Sequence, residues 1–403
     1  MSKISDKMSK ELSQRYTALD VLRGMTIAGM ILVNNPGSWK TIFPPLRHAA
    51  WHGCTPTDLV FPFFLFIVGA ALSFAFAKYN DTLNSSSVKK VLKRTLLIFL
   101  TGLALNAFPF YNTSPNPELS FGSNWMVYLE NLRIFGVLQR IALCYMVGAL
   151  LALWLHKPKK IITAGVVLMF LHWLILTLFG GEDPFSKEGT IAGQIDVAIV
   201  GVSHVYKGFG MPFDPEGLLG VLSGSATVLF GYLIGSHIRK SSEKINAVTD
   251  LYTVGLISLG VAMIMSIFIP INKPLWTPSY VLYAGGWSVM MLALFIYFID
   301  IKGKEKYFFP FKALGLNPLF AFAMAAIMAK TFGRVIRWET TILQDDGTMK
   351  ETTISAANWF YQHICTPLLG NNQFGSLLYA IIYVSIFTAM AIYLYRKKIV
   401  IKL

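Results

Sequence analysis

The residues best suited to chemistry fall in one short segment. His48 and His52 stand four apart beside Trp51, with Asn34 upstream and Asp58 downstream. Histidine is the side chain whose ordinary pKa permits proton transfer near neutral pH. A general base needs such a ring, a group that orients it, and donors for the charge that develops on the reacting carbonyl. His48 is the candidate base and Asp58 its candidate orienting partner. Asn34 and the Trp51 indole N–H are the candidate donors. Spacing alone does not make a catalytic set, since a loop histidine is more often just a polar surface residue.

Other charged residues sit within or beside apolar runs, where ionisable groups are costly and mark either buried pairs or functional sites. Asp20 and Arg23, three apart, share a helical face and read either as a mutual ion pair or as an anion site completed by Arg23. Arg133 and Arg140, seven apart, also share a face, about 10 Å apart along the axis. Arg133 is explained by interfacial anchoring. Arg140 lies deeper and must face protein or a polar cavity, where it would bind an anion, orient a substrate or meet a buried partner. Asp214-Pro215-Glu216-Gly217 reads as a helix start, with Asp214 as N-cap and Pro215 as the first helical residue. Glu216 is not needed for capping, and the two carboxylates would suit a cationic amine or sugar hydroxyls. Asn272 and Lys273, on the next joint of the same side, would frame the same pocket.

These residues are carried by a chain built for lipid. Of 403 residues, 54% are hydrophobic and 14% charged, against roughly 25% charged in a soluble domain. Runs long enough to span a bilayer occur near 17–35, 57–78, 91–108, 132–155, 161–180, 217–238, 250–270, 278–300, 311–330 and 375–395. The net charge of +14 does not indicate nucleic-acid binding, because the basic residues cluster in short joints between those runs. The tail 1–16 carries Lys3, Lys7, Lys10 and Arg15; the even joints carry Lys78, Lys89, Lys90, Lys93 and Arg94, then Lys157, Lys159 and Lys160, then Arg239, Lys240 and Lys244, then Lys302, Lys304, Lys306 and Lys312; the C-terminus carries Arg396, Lys397, Lys398 and Lys402. By the positive-inside rule both termini and all even joints face the cytoplasm. The expected architecture is an all-α polytopic bundle of ten spans in the cell (inner) membrane: a short cytoplasmic tail, 1–16, and one transmembrane domain, 17–403.

The odd joints then face outward. They are the long ones, about 108–131, 181–216 and 331–374, as is usual for functional or capping loops. Within the last, Ile354–Leu369 is amphipathic and is expected on the membrane surface. The three cysteines, Cys54, Cys144 and Cys365, have no metal-site spacing; Cys54 and Cys365 share the outer side and would form a bridge or remain inert thiols. The polar, lysine-rich N-terminus shows no secretory signal.

A series of blocks adds a family signal. They are Leu19-Asp20-Val21-Leu22-Arg23-Gly24, Val33-Asn34, His48-Ala49-Ala50-Trp51-His52-Gly53, Asp58-Leu59-Val60-Phe61-Pro62, Arg133-Ile134-Phe135-Gly136-Val137-Leu138-Gln139-Arg140, Asp214-Pro215-Glu216-Gly217-Leu218-Leu219-Gly220 and Asn272-Lys273-Pro274-Leu275-Trp276-Thr277-Pro278-Ser279-Tyr280. Together, in this order, they resemble the transmembrane acetyltransferases typified by heparan-α-glucosaminide N-acetyltransferase, over nearly the whole chain.

The resemblance implies transfer of an acetyl group from cytosolic acetyl-CoA to the amine of a terminal glucosamine outside. It matches the family's catalytic histidine to His48 and its nearby asparagine to Asn34, with an Asn-to-His interval slightly longer than in the animal enzyme. The chain lacks that enzyme's N-terminal lumenal domain, so a smaller amino sugar or a cell-wall sugar is expected in place of heparan sulfate. A homodimer is implied, and no metal. The anionic CoA requires cations at the inner mouth, where Arg23, Lys93, Arg94, Arg239 and Lys240 stand, although orienting the chain in the membrane also accounts for them. His48 would act as a base in direct transfer or carry the acetyl group itself. Two other readings remain: a transporter of amino sugars, for which the Asn35-Pro36 and Asn317-Pro318 steps would suit broken helices, and an acyltransferase with a different donor or a polymer-linked acceptor.

Overall fold

The structure is a computed structural model that describes residues 16–77, 81–113, 115–343 and 349–401. Of the expected cytoplasmic tail only Tyr16 is included; Lys3, Lys7, Lys10, Arg15, Lys78 and Lys402 lie outside the described residues.

The long helices follow the apolar runs in order: α1 Thr17–Asn34, α2 Pro56–Phe76, α3 Ser85–Ala107, then the short α4 Phe121–Glu130, α5 Val137–Leu155, α6 Pro158–Phe179, the short α7 Ile191–Val200, α8 Gly220–Lys240, α9 Lys244–Met265 and α10 Pro278–Phe295. The ninth run divides into α11 Phe309–Leu316 and α12 Pro318–Lys330, and the last helix is α13 Gln373–Arg396. Among the described residues, nine helices are long and apolar enough to cross a membrane. The expected tenth, α3, is long enough, but its first half carries Lys89, Lys90, Lys93 and Arg94. Its span therefore rests on 91–108 alone, the boundary read from the sequence. The protein is a multi-pass helical membrane bundle.

Close packing at the centre comes from glycines where two backbones meet, the usual device when lipid supplies no hydrophobic drive between helices. A Cβ on Gly69 of α2 would lie 2.0 Å from the Val228 carbonyl oxygen of α8, and one on Gly24 of α1 would lie 1.7 Å from that of Phe311 in α11. Two apolar clusters fill the bundle, one around Ile31, Leu65, Tyr145, Leu229 and Trp276, the other around Leu22, Phe66, Ile234, Leu251 and Leu292.

Proline at 318 cannot continue a helix with full hydrogen bonding, and α11 ends at the residue before Asn317. The Asn317 side chain at this break holds the segment after α13: Nδ2 donates to the Ile399 carbonyl and Oδ1 accepts from Ile401 N–H.

The long ninth joint holds structure that the periodicity of the spans does not announce. Strands β1 Arg337–Leu343 and β2 Met349–Ser355 pair antiparallel, with Thr340 opposite Thr352. The signal was present in the paired Glu-Thr-Thr-Ile segments at 339–342 and 351–354, which are rich in β-branched residues. The expected amphipathic surface run from Ile354 accordingly begins as strand and becomes short helical turns over 356–369, with Trp359, Ile364, Leu368 and Leu369 exposed.

Candidate active site at the histidine end of the bundle

The odd joints meet at one end of the bundle. Trp51 of the first joint packs with Phe213 and Leu275, Arg133 of the third reaches Asp214 of the fifth, and Gly37 N–H donates to Ser376 O at the base of α13. The even joints meet at the other end, where Arg239 pairs with Asp81 and Lys244 Nζ donates to the Asp300 carbonyl.

The centre of the histidine end is built on the first turn of α2. Thr55 stands at the N-cap, Pro56 follows, and Asp58 is the third helical residue. This is the arrangement in which an acidic side chain folds back on the N-cap amide. Asp58 Oδ2 accepts from Thr55 N–H at 3.0 Å, Thr55 Oγ1–H at 3.1 Å and Ala49 N–H at 3.0 Å. Its other oxygen, Oδ1, lies 2.7 Å from His48 Nδ1 and 3.2 Å from Lys273 Nζ. The carboxylate is 2% exposed and the His48 ring 48%. One residue thus caps its helix, shapes the His48 loop and presents an anion to the ring.

This contact assigns the ring proton. A carboxylate accepts only, so Nδ1 must donate to it. Nε2 is then the nitrogen with a free lone pair, on an exposed ring. Lys273 Nζ lies 3.0 Å from the same Nδ1, but an ammonium also only donates; with Nδ1–H directed at the carboxylate 2.7 Å away, Lys273 makes its bond to Asp58 Oδ1 at 3.2 Å and balances its charge.

Asn272 holds the crossing loop in place. It is fully buried; Oδ1 accepts from Leu275 N–H at 2.8 Å, and Nδ2 donates to Trp51 O at 3.1 Å. Gly53 N–H donates to Ile271 O at 2.8 Å beside it. Tyr280 of α10 donates its hydroxyl to the Asp58 carbonyl at 2.6 Å.

The other sequence candidates separate into groups. Trp51 is 8% exposed, and its indole N–H donates to Phe185 O at 2.8 Å; it walls the site from behind and is not free as a donor to substrate. Asn34 is exposed at the end of α1, and no hydrogen bond joins it to His48 among the described residues. Asp214 and Glu216 are both taken by Arg133, which makes a two-pronged contact with Asp214 at 2.9 and 2.6 Å and reaches Glu216 at 2.5 Å. Those carboxylates hold the guanidinium strongly in its charged form despite burial. The expected N-cap role of Asp214 gives way for the same reason: α8 begins only at Gly220, and Asp214 is spent on Arg133 and on the N–H of Tyr206 and of Glu216.

Arg140 is 1% exposed and donates from Nη2 to the carbonyls of Pro215, at 3.1 Å, and Gly217, at 2.8 Å, with Trp276 5.5 Å beneath the guanidinium. A Cβ on Gly220 would lie 2.4 Å from Arg140 Nη1, and one on Gly217 would lie 1.7 Å from Asp196 Oδ2. The glycines of Asp214-Pro215-Glu216-Gly217-Leu218-Leu219-Gly220 are thus room for two buried charged groups. Asp196, which sequence reading passed over, is 1% exposed and accepts from Leu218 N–H at 2.8 Å. Burial, with Asp214 nearby, raises its pKa to about 7.

Toward the opposite end, Arg23 pairs with Asp20 at 3.0 Å and donates to Gly315 O, which is the ion-pair reading. Arg239 is held by Ser73 O and Asp81. Arg94 lies over the Tyr145 ring at 5.1 Å with its side chain exposed, and Lys240 is exposed. Cys54, Cys144 and Cys365 are free. Burial and the charge of Asp58 push the Cys54 thiol up to about 12, which makes it inert. No cluster of three metal-ligating side chains occurs among the described residues.

A helical membrane bundle with a carboxylate-bound histidine exposed at one end defines a class: multi-pass membrane proteins equipped for proton-transfer chemistry at a bundle end. The profile of the family described as "Heparan-alpha-glucosaminide N-acetyltransferase, catalytic" matches residues 15–250, and the chain belongs to this family of membrane N-acetyltransferases. It is similar to heparan-alpha-glucosaminide N-acetyltransferase of Mus musculus, 26% identical over 402 residues, covering 85% of this chain and 57% of the relative. The relative of the same name in Homo sapiens is 26% identical over 400 residues, covering 84% of this chain and 56% of its own length. The chain thus spans little more than half the length of the curated relatives it matches.

Proposed function

We propose that the protein transfers an acetyl group from acetyl-CoA to the amine of a glucosamine-type sugar, with His48 as the general base on the extracytoplasmic side. The observation that carries this reading is His48 Nδ1 at 2.7 Å from the buried Asp58 carboxylate, which leaves Nε2 as an exposed proton acceptor. An amine attacks a thioester only as its neutral form, so a base that takes a proton from the ammonium, or from the amine nitrogen as it bonds to the carbonyl carbon, is the minimum requirement. Acetyl-CoA supplies the activated acyl group.

His48 Nε2 takes the amine proton, Asp58 stabilises the imidazolium that results, and Lys273 keeps Asp58 ionised and in place. The basic even joints support a cytoplasmic far end, where exposed Arg94 and Lys240 would meet CoA phosphates. Arg23 and Arg239 are occupied by carboxylates and serve the bundle first. With the Asp214 and Glu216 carboxylates both engaged by Arg133, neither is a free partner for the amine, and an amino sugar is recognised through hydroxyls more than through a dedicated ion pair. A small amino sugar or a glycan end fits the exposed ring.

The test is direct. Purified protein given acetyl-CoA and glucosamine is expected to release CoA and form N-acetylglucosamine, and His48→Ala is expected to stop both. Full turnover in His48→Ala would remove His48 from the reaction. Uptake of labelled glucosamine into vesicles without acetyl-CoA would point to transport instead.

A further inference from the structure

His52, the second histidine of the segment, has a partner of its own that sets where its ring proton resides. That partner is Asn272. The Asn272 side chain is fully buried, and its Oδ1 accepts the Leu275 N–H at 2.8 Å. That bond fixes which end of the amide is oxygen. Nδ2, with two hydrogens, then faces Trp51 O at 3.1 Å and His52 Nδ1 at 3.3 Å. A donor facing Nδ1 requires Nδ1 to accept, so the His52 proton resides on Nε2.

His48 is in the opposite form, with its proton on Nδ1 and its lone pair on Nε2. His52 is held by Asn272 and His48 by Asp58, whose carboxylate is bound in turn by Lys273, the residue after Asn272. Both rings are exposed at the same end of the bundle. Gly53, at φ +99°, turns the chain between them and the crossing loop.

We propose that His52 is a second catalytic residue: an Nε2–H donor for the acyl oxygen, exposed at the same end of the bundle as His48. The proposal rests on the acetyl-transfer reading and extends it. Two exposed imidazoles of opposite tautomer, four residues apart, supply both things acyl transfer needs, an acceptor for the amine proton and a donor for the oxygen that gains charge. His48 Nε2 receives the proton as the amine nitrogen bonds to the carbonyl carbon and the C=O electron pair moves onto oxygen. His52 holds that oxygen through Nε2–H and keeps its own proton. As the C=O bond re-forms, the C–S bond breaks, sulfur leaves with the bonding pair, and the proton on His48 passes to it. The Trp51 indole is committed to Phe185 and cannot take the donor's place.

Two measurements test this. In protein labelled with 15N-histidine and held in nanodiscs, long-range 1H–15N spectra report which ring nitrogen carries the proton; His48→Gln and His52→Gln assign the two signals. The expected result is a proton on Nδ1 of His48 and on Nε2 of His52. A proton on Nδ1 of His52 overturns the proposal. In kinetics, His52→Ala is expected to lower kcat by about 10²–10³, the usual loss of one such donor, with little change in the acceptor KM. His52→Gln, which retains an N–H, is expected to recover part of that loss. Unchanged kcat in His52→Ala overturns the proposal even if His48→Ala is dead. A wild-type protein that shows both tautomers but transfers no acetyl group retains the donor pair and overturns the acetyl-transfer reading.

Discussion

Lys273 reaches across 215 positions of sequence to place its ammonium 3.2 Å from the Asp58 carboxylate. It joins the loop before α10 to the first turn of α2 at the point where His48 is held. The ammonium is 17% exposed and Asp58 is 2% exposed, so the pair is shielded from solvent on the Asp58 side. Lys273→Met is expected to cost about 1.5–3 kcal/mol, the range for a hydrogen bond to a charged group. Lys273→Arg should restore part of it. Thermal unfolding in detergent reads both, and an unaltered midpoint in Lys273→Met would show that the contact contributes nothing.

Asp58→Asn retains the shape of the side chain but removes the anion that fixes the His48 tautomer. We expect kcat to fall by about 10²–10⁴, the usual contribution of a positioned acid–base group, with the acceptor KM nearly constant. A change confined to KM would assign Asp58 to substrate binding.

Arg133 is expected to be a stability residue. It satisfies Asp214, which is 0% exposed at the side chain, and Glu216. Arg133→Ala leaves a buried carboxylate without its cation, at a cost of about 3 kcal/mol. Arg133→Lys cannot make the two-pronged contact and should fall between. Wild-type thermal stability in Arg133→Ala would contradict this placement.

Gly220→Ala would drive a methyl group to 2.4 Å from the Arg140 guanidinium. Overpacking of this kind costs about 1–3 kcal/mol. Gly333→Ala is the matched control, because a Cβ there meets nothing within 4 Å. Equal melting points for the two variants would refute the close fit between Gly220 and Arg140.

Asp196 gives the protein a pH-dependent component of stability. Its pKa is raised to about 7 in the fold, chiefly by burial, against about 3.9 in an unfolded chain. The folded state therefore binds the extra proton between those values. The associated stability is fully present below about pH 4 and is lost as pH rises through about 7. Asp196→Asn, which retains an oxygen for Leu218 N–H, should flatten the melting temperature between pH 5 and 8 relative to wild type. Parallel curves for the two proteins would reject this.

Much was legible without coordinates. Apolar runs and basic joints determine the bundle, because a lipid-exposed backbone must satisfy its own hydrogen bonds and so must be helical. Where local rules were in conflict, the sequence was less clear. Asn317-Pro318 breaks the ninth run because proline lacks an N–H, and only the fold shows that the Asn317 side chain there binds Ile399 and Ile401 beyond α13. The strand pair 337–343 and 349–355 has no helical periodicity to mark it, although its two Glu-Thr-Thr-Ile segments carry β-branched residues.

The site divides in the same way. His48 and Asp58 are ten residues apart, and the turn from loop into α2 is local, so the sequence by itself determined that pairing. Lys273 and Asn272 come from more than 210 residues away; which one touches His48 and which one touches His52 depends on how α10 packs beside α2. Likewise Asp214 and Glu216 offered two free carboxylates in sequence, and only tertiary structure delivered Arg133 to pair with both. Local chemistry follows from short-range geometry. The sharing of charges among distant joints follows from packing, which no spacing along the chain encodes.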